Sequence, residues 1–249
     1  MVKIVLTPDW FLSADVFIDF FSFFVVVIFS LLAIKNYKIS KNKRFLYVGV
    51  GFLLISIAQL ASLITKLILY YDIGPSEQIG QAIIASNIVN SVDVFYYAGF
   101  FFHRFLTLAG LFLIYRLPRK QKMLEDYFLI FYFILISALL SKEFYYIYHI
   151  TSFVLISLII RNYYEIYSKN RFYNTKILIL AFSILALSQL IFIFSVIDIL
   201  FVVGGLVELV SYLIFLFLIL KILDHGKEKN KNRHNIRYVG NNSRKKSRN

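Results

Sequence analysis

His103, Arg104 and Glu208 are ionisable residues set inside long apolar runs, FFFHRFLTLAGLFLIY and FVVGGLVELVSYLIFLF. A charge in such surroundings costs on the order of 2.5 to 3.5 kcal/mol on membrane-insertion scales, so these groups are expected to face the interior of a helix bundle with a partner. Arg104 cannot lose its proton and needs a carboxylate, and Glu208 lies at a similar depth, which predicts an Arg104 to Glu208 ion pair. Two readings follow. The pair pins two helices together, or His103 and Glu208 form a substrate or proton site with Gln59 and Gln189 supplying hydrogen bonds.

Other chemistry is thinner. Asp15 and Asp19 stand one turn apart, spaced either to hold a cation at the outer mouth or to complement the start of the first helix. His103 and His149 fall at depths about 6 Å apart, which brings a haem or an Asp19-completed metal site into view, but no recurring ligand spacing accompanies them. No metal and no cofactor are expected. Gly99, Gly204 and Gly205 read first as close-packing positions. The chain has no cysteine, which removes disulfides, thiolate metal sites and cysteine nucleophiles. No HExxH, GxSxG or GxxxxGK pattern occurs, so an enzyme is not expected.

The elements that would hold these residues are transmembrane helices. With 249 residues, 59% of them hydrophobic and only 16% charged, the chain is too apolar to hide its surface in one water-soluble core. Its mean hydropathy is +0.72. A crossing needs about 20 mostly apolar residues, and seven stretches meet or approach this, near 14–34, 45–70, 93–115, 125–141, 144–160, 177–197 and 199–221. The fourth and fifth are near the short limit, and a re-entrant hairpin there would reduce the count to five. Ile79, Ile83, Ile84, Ile88 and Val89 fall opposite Gln78, Gln81, Asn87 and Asn90, which predicts a short surface helix between the second and third spans.

Charge sets the expected orientation. Of the 27 Lys and Arg residues, all but Lys3, Lys66, Arg104 and Lys142 lie in the connections 35–44, 116–126 and 161–176 or in the tail from 221. Those faces are expected inside, with the N-terminus out and the C-terminus in. Lys66 is close enough to the outer end of its helix to snorkel there. A seven-helix domain over 1–223 is followed by a basic tail, 224–249, expected to be disordered over anionic lipid headgroups. The expected location is the plasma membrane, the expected partners the bilayer and a separate cytoplasmic protein, and no specific nucleic acid is implied.

An internal repeat is also visible. Asp93, Gly99, His103 and Arg116 match Asp198, Gly204, Glu208 and Lys221 at a constant offset, and Phe52, Gln59 and Leu60 match Phe182, Gln189 and Leu190 at another. Lys35-Asn36-Tyr37 and Ser40-Lys41-Asn42 resemble Arg161-Asn162-Tyr163 and Ser168-Lys169-Asn170 after small shifts. This predicts an all-α bundle of two parallel three-helix repeats joined by helix four. The plan resembles that of the SWEET sugar transporters, and microbial rhodopsins share the helix number and orientation. The chain departs from both: 199–220 has no lysine for a retinal Schiff base, and Pro8, Pro75 and Pro118 all lie outside the spans. The segment YKISKNKRFLYVGVGFLLISIAQL, Tyr37 to Leu60, resembles archaeal multi-pass membrane proteins of unassigned activity and the membrane regions of sensors, and it implies no catalytic residue. The expectation is a non-enzymatic sensor, receptor or scaffold working with a separate partner. The alternative is a small-solute or proton-linked transporter with a site between helices three and seven.

Overall fold

In the computed structural model, which describes residues 8–41, 43–71, 91–116, 124–141 and 144–246, every regular element is helical. A single 3₁₀ turn, Asp9–Phe11, leads into seven α-helices: α1 Leu12–Ser40, α2 Lys43–Tyr71, α3 Ser91–Tyr115, α4 Leu124–Leu140, α5 Tyr145–Asn170, α6 Tyr173–Phe192 and α7 Asp198–Lys246. The expected surface helix between α2 and α3 lies outside the described residues.

Five of these, α1, α2, α3, α6 and α7, contain segments long and apolar enough to cross a bilayer. α4, with 17 residues, and the Tyr-rich α5 are not among them, and they are the two stretches whose lengths were marginal in the sequence. The distribution of side chains is inverted relative to a water-soluble bundle. Phe17, Leu31 and Phe217 are more than half exposed, whereas Ser30, Ser188 and Ser211 are wholly buried. Apolar side chains facing outward and hydroxyls facing inward suit a hydrocarbon solvent. The chain is a multi-pass helical membrane protein.

Six helices close a ring in the order α1, α2, α3, α5, α6, α7, with α7 packed back on α1, and α4 sits outside against α3 and α5. Buried serines tie neighbours where backbones come close. Ser30 Oγ donates to the Gly49 carbonyl at 2.8 Å, and Ser211 Oγ to the Ala181 carbonyl at 2.9 Å. Asn162 on α5 donates to the Tyr115 carbonyl at 2.8 Å, satisfying one of the orphan acceptors at the end of α3.

The α1–α2 and α5–α6 turns are built alike. Lys41 (φ 54°) and Arg171 (φ 48°) are the two non-glycine residues with positive φ among the described residues, and each returns its N–H to a tyrosine carbonyl, Tyr37 at 2.8 Å and Tyr167 at 2.7 Å. A side chain in this left-handed conformation costs roughly 1 to 2 kcal/mol, so the helix ends there rather than continuing. Lys41 and Arg171 stand at the same spacing as Phe52 and Phe182, whereas the expected pairing of these connections sets Lys41 against Lys169.

Several boundaries differ from expectation, three of them instructively. α6 ends at Phe192, five residues early, because the apolar segment 193–197 forms a turn that composition alone cannot distinguish from helix. α5 runs ten residues past its expected end. α7 continues as helix through Lys246, across the segment expected to lack structure. Lys, Arg and Glu are good helix formers, so the backbone prolongs a helix already nucleated by the span.

The core divides along the bundle. In the half nearer Ser40 and Lys43, Phe29, Phe52, Phe182 and Phe215 interlock, with ring centroids 4.6 Å apart for Phe29 and Phe52, 5.2 Å for Phe182 and Phe215, and 5.8 Å for Phe52 and Phe215. The other half holds the buried polar residues Asp15, Gln59, Ser62 and Gln189 beside two smaller apolar clusters, one of Phe11, Ile18 and Val202 and one of Leu108, Ile134 and Tyr148.

Candidate functional site

Helix α1 presents Asp15 and Asp19 one turn apart, and α2 presents Gln59, Ser62 and Lys66 at spacings of three and four residues, which puts each set on one helical face. Because α1 packs along α2, the two faces meet. Lys66 Nζ lies 2.8 Å from Asp15 Oδ1 and 2.8 Å from Asp19 Oδ2, and Ser62 Oγ donates to Asp19 Oδ2 at 2.7 Å. All three charged side chains are nearly buried. Lys66 therefore turns inward rather than snorkelling to the outer surface, since two carboxylates replace the hydration it loses. Of the two readings of the Asp15 and Asp19 spacing, the structure fills the cation position with the ammonium of Lys66.

One turn deeper, Gln59 Nε2 donates to the Tyr212 hydroxyl at 3.1 Å, and Tyr212 donates to Glu208 Oε1 at 3.0 Å. This chain crosses the ring from α2 to α7. The charged groups acting on Glu208 are Asp19, Lys66 and Asp15, so the carboxylate belongs to the same interior cluster. His103 Nδ1 lies 3.0 Å from the Ala58 carbonyl, and its ring faces Tyr148 with centroids 6.0 Å apart. On α5 and α6, His149 Nδ1 and Gln189 Oε1 are 2.9 Å apart, and the imidazole stacks on Phe192 with centroids 5.2 Å apart.

Of the five residues singled out in the sequence, the structure joins Gln59 to Glu208 through Tyr212, places His103 beside Tyr148, and gives Gln189 to His149. Arg104 goes elsewhere. Its Nη1 donates to the Ser141 carbonyl at 2.7 Å and to Ser141 Oγ at 3.0 Å, just past the end of α4, and its guanidinium lies 5.9 Å from the centroid of Phe100. Lys66 pairs with Asp15 and Asp19 and Arg161 with Glu165, while Arg104 is directed at Ser141 and Glu208 at Tyr212 rather than at each other as expected. Consecutive residues on a helix diverge by about 100°, so His103 turns toward α2 while Arg104 turns toward α4. There the guanidinium meets the negative end of the α4 dipole.

The glycines pack rather than open a chamber. A Cβ on Gly99 would collide with the Thr65 side chain, and one on Gly204 would meet the Phe192 ring at 2.9 Å.

Tyr212, Tyr148, Lys66 and Ser62 were not read as site residues. A signal existed for the first and third: Tyr212 follows Glu208 by one helical turn, and Lys66 shares the helical face of Gln59. Of the interior polar atoms, Gln59 Oε1 has no hydrogen-bond partner among the described residues, and Thr107 Oγ1 and Ser152 Oγ have none of ideal geometry. The Tyr148 hydroxyl lies beside the latter two. Comparison with protein-family models, with curated proteins and with solved structures finds no match.

Proposed function

We propose that this membrane protein is a non-enzymatic sensor or receptor of the plasma membrane, oriented with its N-terminus outside, whose interior polar cluster responds to a signal from the outer side. The observation that carries this reading is the division of the core: ion-paired and hydrogen-bonded groups occupy one half of the bundle, and the interlocked Phe29, Phe52, Phe182 and Phe215 fill the other. A change of charge or hydrogen bonding in the cluster alters how α1, α2 and α7 meet, and these helices end on the basic face. Lys35, Lys38, Arg161, Lys169 and Lys176 there suit anionic lipid headgroups and a separate cytoplasmic partner that provides the output.

A second reading, a small-solute or proton-linked carrier, is favoured by the ring itself. The contacts of α1 with α2, α2 with α3 and α3 with α5 correspond to those of α5 with α6, α6 with α7 and α7 with α1, as two parallel repeats about a central axis would produce. The matched turns at Lys41 and Arg171 fit the same relationship.

Reconstituted vesicles loaded with a pH-sensitive dye separate the two. Under an imposed proton gradient and a panel of small solutes, the sensor reading expects no flux above empty vesicles. Flux that disappears in Glu208→Gln at unchanged thermal stability would replace it with the carrier reading.

A further inference from the structure

Helix α4 lies outside the ring and ends at Leu140 partway along α3, so the two helices part around that end. A cavity of about 320 Å³ lies there, between the α3 residues Tyr97 to Arg104 and the last turn of α4 at Ala138 and Leu139. Its volume is at the lower end of small-molecule sites. Ala138 is buried, while Phe102 and Leu139 are more than half exposed, so the cavity runs from the packed α3–α4 contact out to the lipid-facing surface. Because Tyr97 begins the apolar span of α3, what enters here comes from the bilayer and must be lipophilic.

Of the residues that line the cavity, Arg104 is the one that carries charge. An ionisable side chain at this depth marks a ligand pathway more often than a polar residue at a surface does. Both bonds that fix it to Ser141, at 2.7 Å to the carbonyl and 3.0 Å to Oγ, leave from Nη1. A guanidinium is a planar fork, and its Nε–Nη2 edge is one that carboxylates take through two parallel N–H bonds, a geometry compatible with Nη1 remaining on Ser141. The other walls are aromatic and set by their neighbours. Phe100 lies 5.9 Å from the guanidinium, and Phe101 stacks on Phe105 with centroids 5.9 Å apart and stands edge-on to Phe102 at 5.8 Å.

We infer that the α3–α4 cleft binds a compact lipophilic carboxylate from the bilayer, its anion held by Arg104 and its apolar body lying against Phe100, Phe101 and Phe102. A phospholipid fits less well. Its two acyl chains exceed the cavity, and its phosphate belongs at the headgroup level, whereas Arg104 is seven residues, about 10 Å, inside the span that begins at Tyr97. The inference concerns this cleft and not the interior cluster, so it stands apart from the sensor reading, and the flux experiment leaves it untouched.

Equilibrium binding of tritiated 4-phenylbutyrate to the full chain in nanodiscs of neutral lipid, with empty discs as background, tests it. The expected result is saturable binding at one site per chain, displaced by unlabelled 4-phenylbutyrate at least tenfold more readily than by 4-phenylbutyramide, which has the same body without the charge. Arg104→Gln is expected to weaken the affinity at least tenfold. Because Arg104 also holds Ser141, Leu139→Trp is the second variant. It fills the mouth from an exposed position, keeps the guanidinium, and is expected to weaken binding as much at unchanged Tm. Absence of saturable binding above empty discs, equal displacement by the amide, or an unchanged affinity in Leu139→Trp overturns the inference. Displacement by phosphatidylglycerol ahead of 4-phenylbutyrate also overturns it, in favour of a lipid headgroup.

Discussion

Phe52 on α2 and Phe182 on α6 stack at the centre of the ring, with centroids 6.2 Å apart and planes inclined by 28°. They are also the two residues that the repeat expected from the sequence pairs with one another. Both rings belong to the interlocked cluster that includes Phe29 and Phe215. Phe182 is wholly buried and Phe52 nearly so. Phe182→Ala is expected to cost about 3 to 5 kcal/mol, Phe182→Leu less, and the Phe52→Ala/Phe182→Ala pair to make vesicles leak protons. Dye-loaded vesicles and thermal unfolding check both effects; a double variant that stays folded and tight would show that the seal lies elsewhere.

Lys66→Met is expected to destabilise the protein by about 3 to 5 kcal/mol, since it strands Asp15 and Asp19 without their cation. Adding Asp15→Asn and Asp19→Asn should restore much of the loss, because a neutral amide of the same shape costs far less to bury than an unpaired carboxylate. A triple variant no more stable than Lys66→Met would mean that the ammonium stem, rather than its charge, holds α1 to α2.

Tyr212→Phe removes the hydroxyl that bridges Gln59 and Glu208. An expected loss of about 1 to 3 kcal/mol follows from leaving both partners unsatisfied in the interior. Glu208→Gln made on the Tyr212→Phe background should cost less than it does in the parent, which a double-mutant cycle measures directly.

Arg104→Gln and Glu208→Gln should act additively, within about 0.5 kcal/mol, because the guanidinium serves Ser141 and the carboxylate serves Tyr212. A coupling well above that would restore the direct ion pair that the sequence suggests.

Lys41→Gly and Arg171→Gly relieve a side chain held at positive φ, and each is expected to leave stability unchanged or raise it by up to about 1 kcal/mol. Lys41→Val and Arg171→Val should lower it. Parallel responses at the two turns would be the behaviour of equivalent positions; opposite signs would argue that their likeness is local.

The sequence by itself determined that this chain lives in a membrane and is all helix, because long apolar runs have no other low-energy arrangement where water is absent. It also marked Gln59, His103, Gln189 and Glu208 as costly residues that must face inward. What it left open was which partner each would find. Arg104 and Glu208 are at similar depth, yet depth along the bundle leaves the rotation of each helix undetermined, and one residue of difference turned Arg104 toward α4. Lys66 could reach either the outer surface or Asp15 and Asp19, and only the packing of α1 against α2 decided it. The five-residue turn before α7 escaped notice because its residues are as apolar as the helix they interrupt. Periodicity and hydropathy report one helix at a time, whereas hydrogen-bond partners and the aromatic cluster arise only when the rotations and neighbours of all the helices are set together.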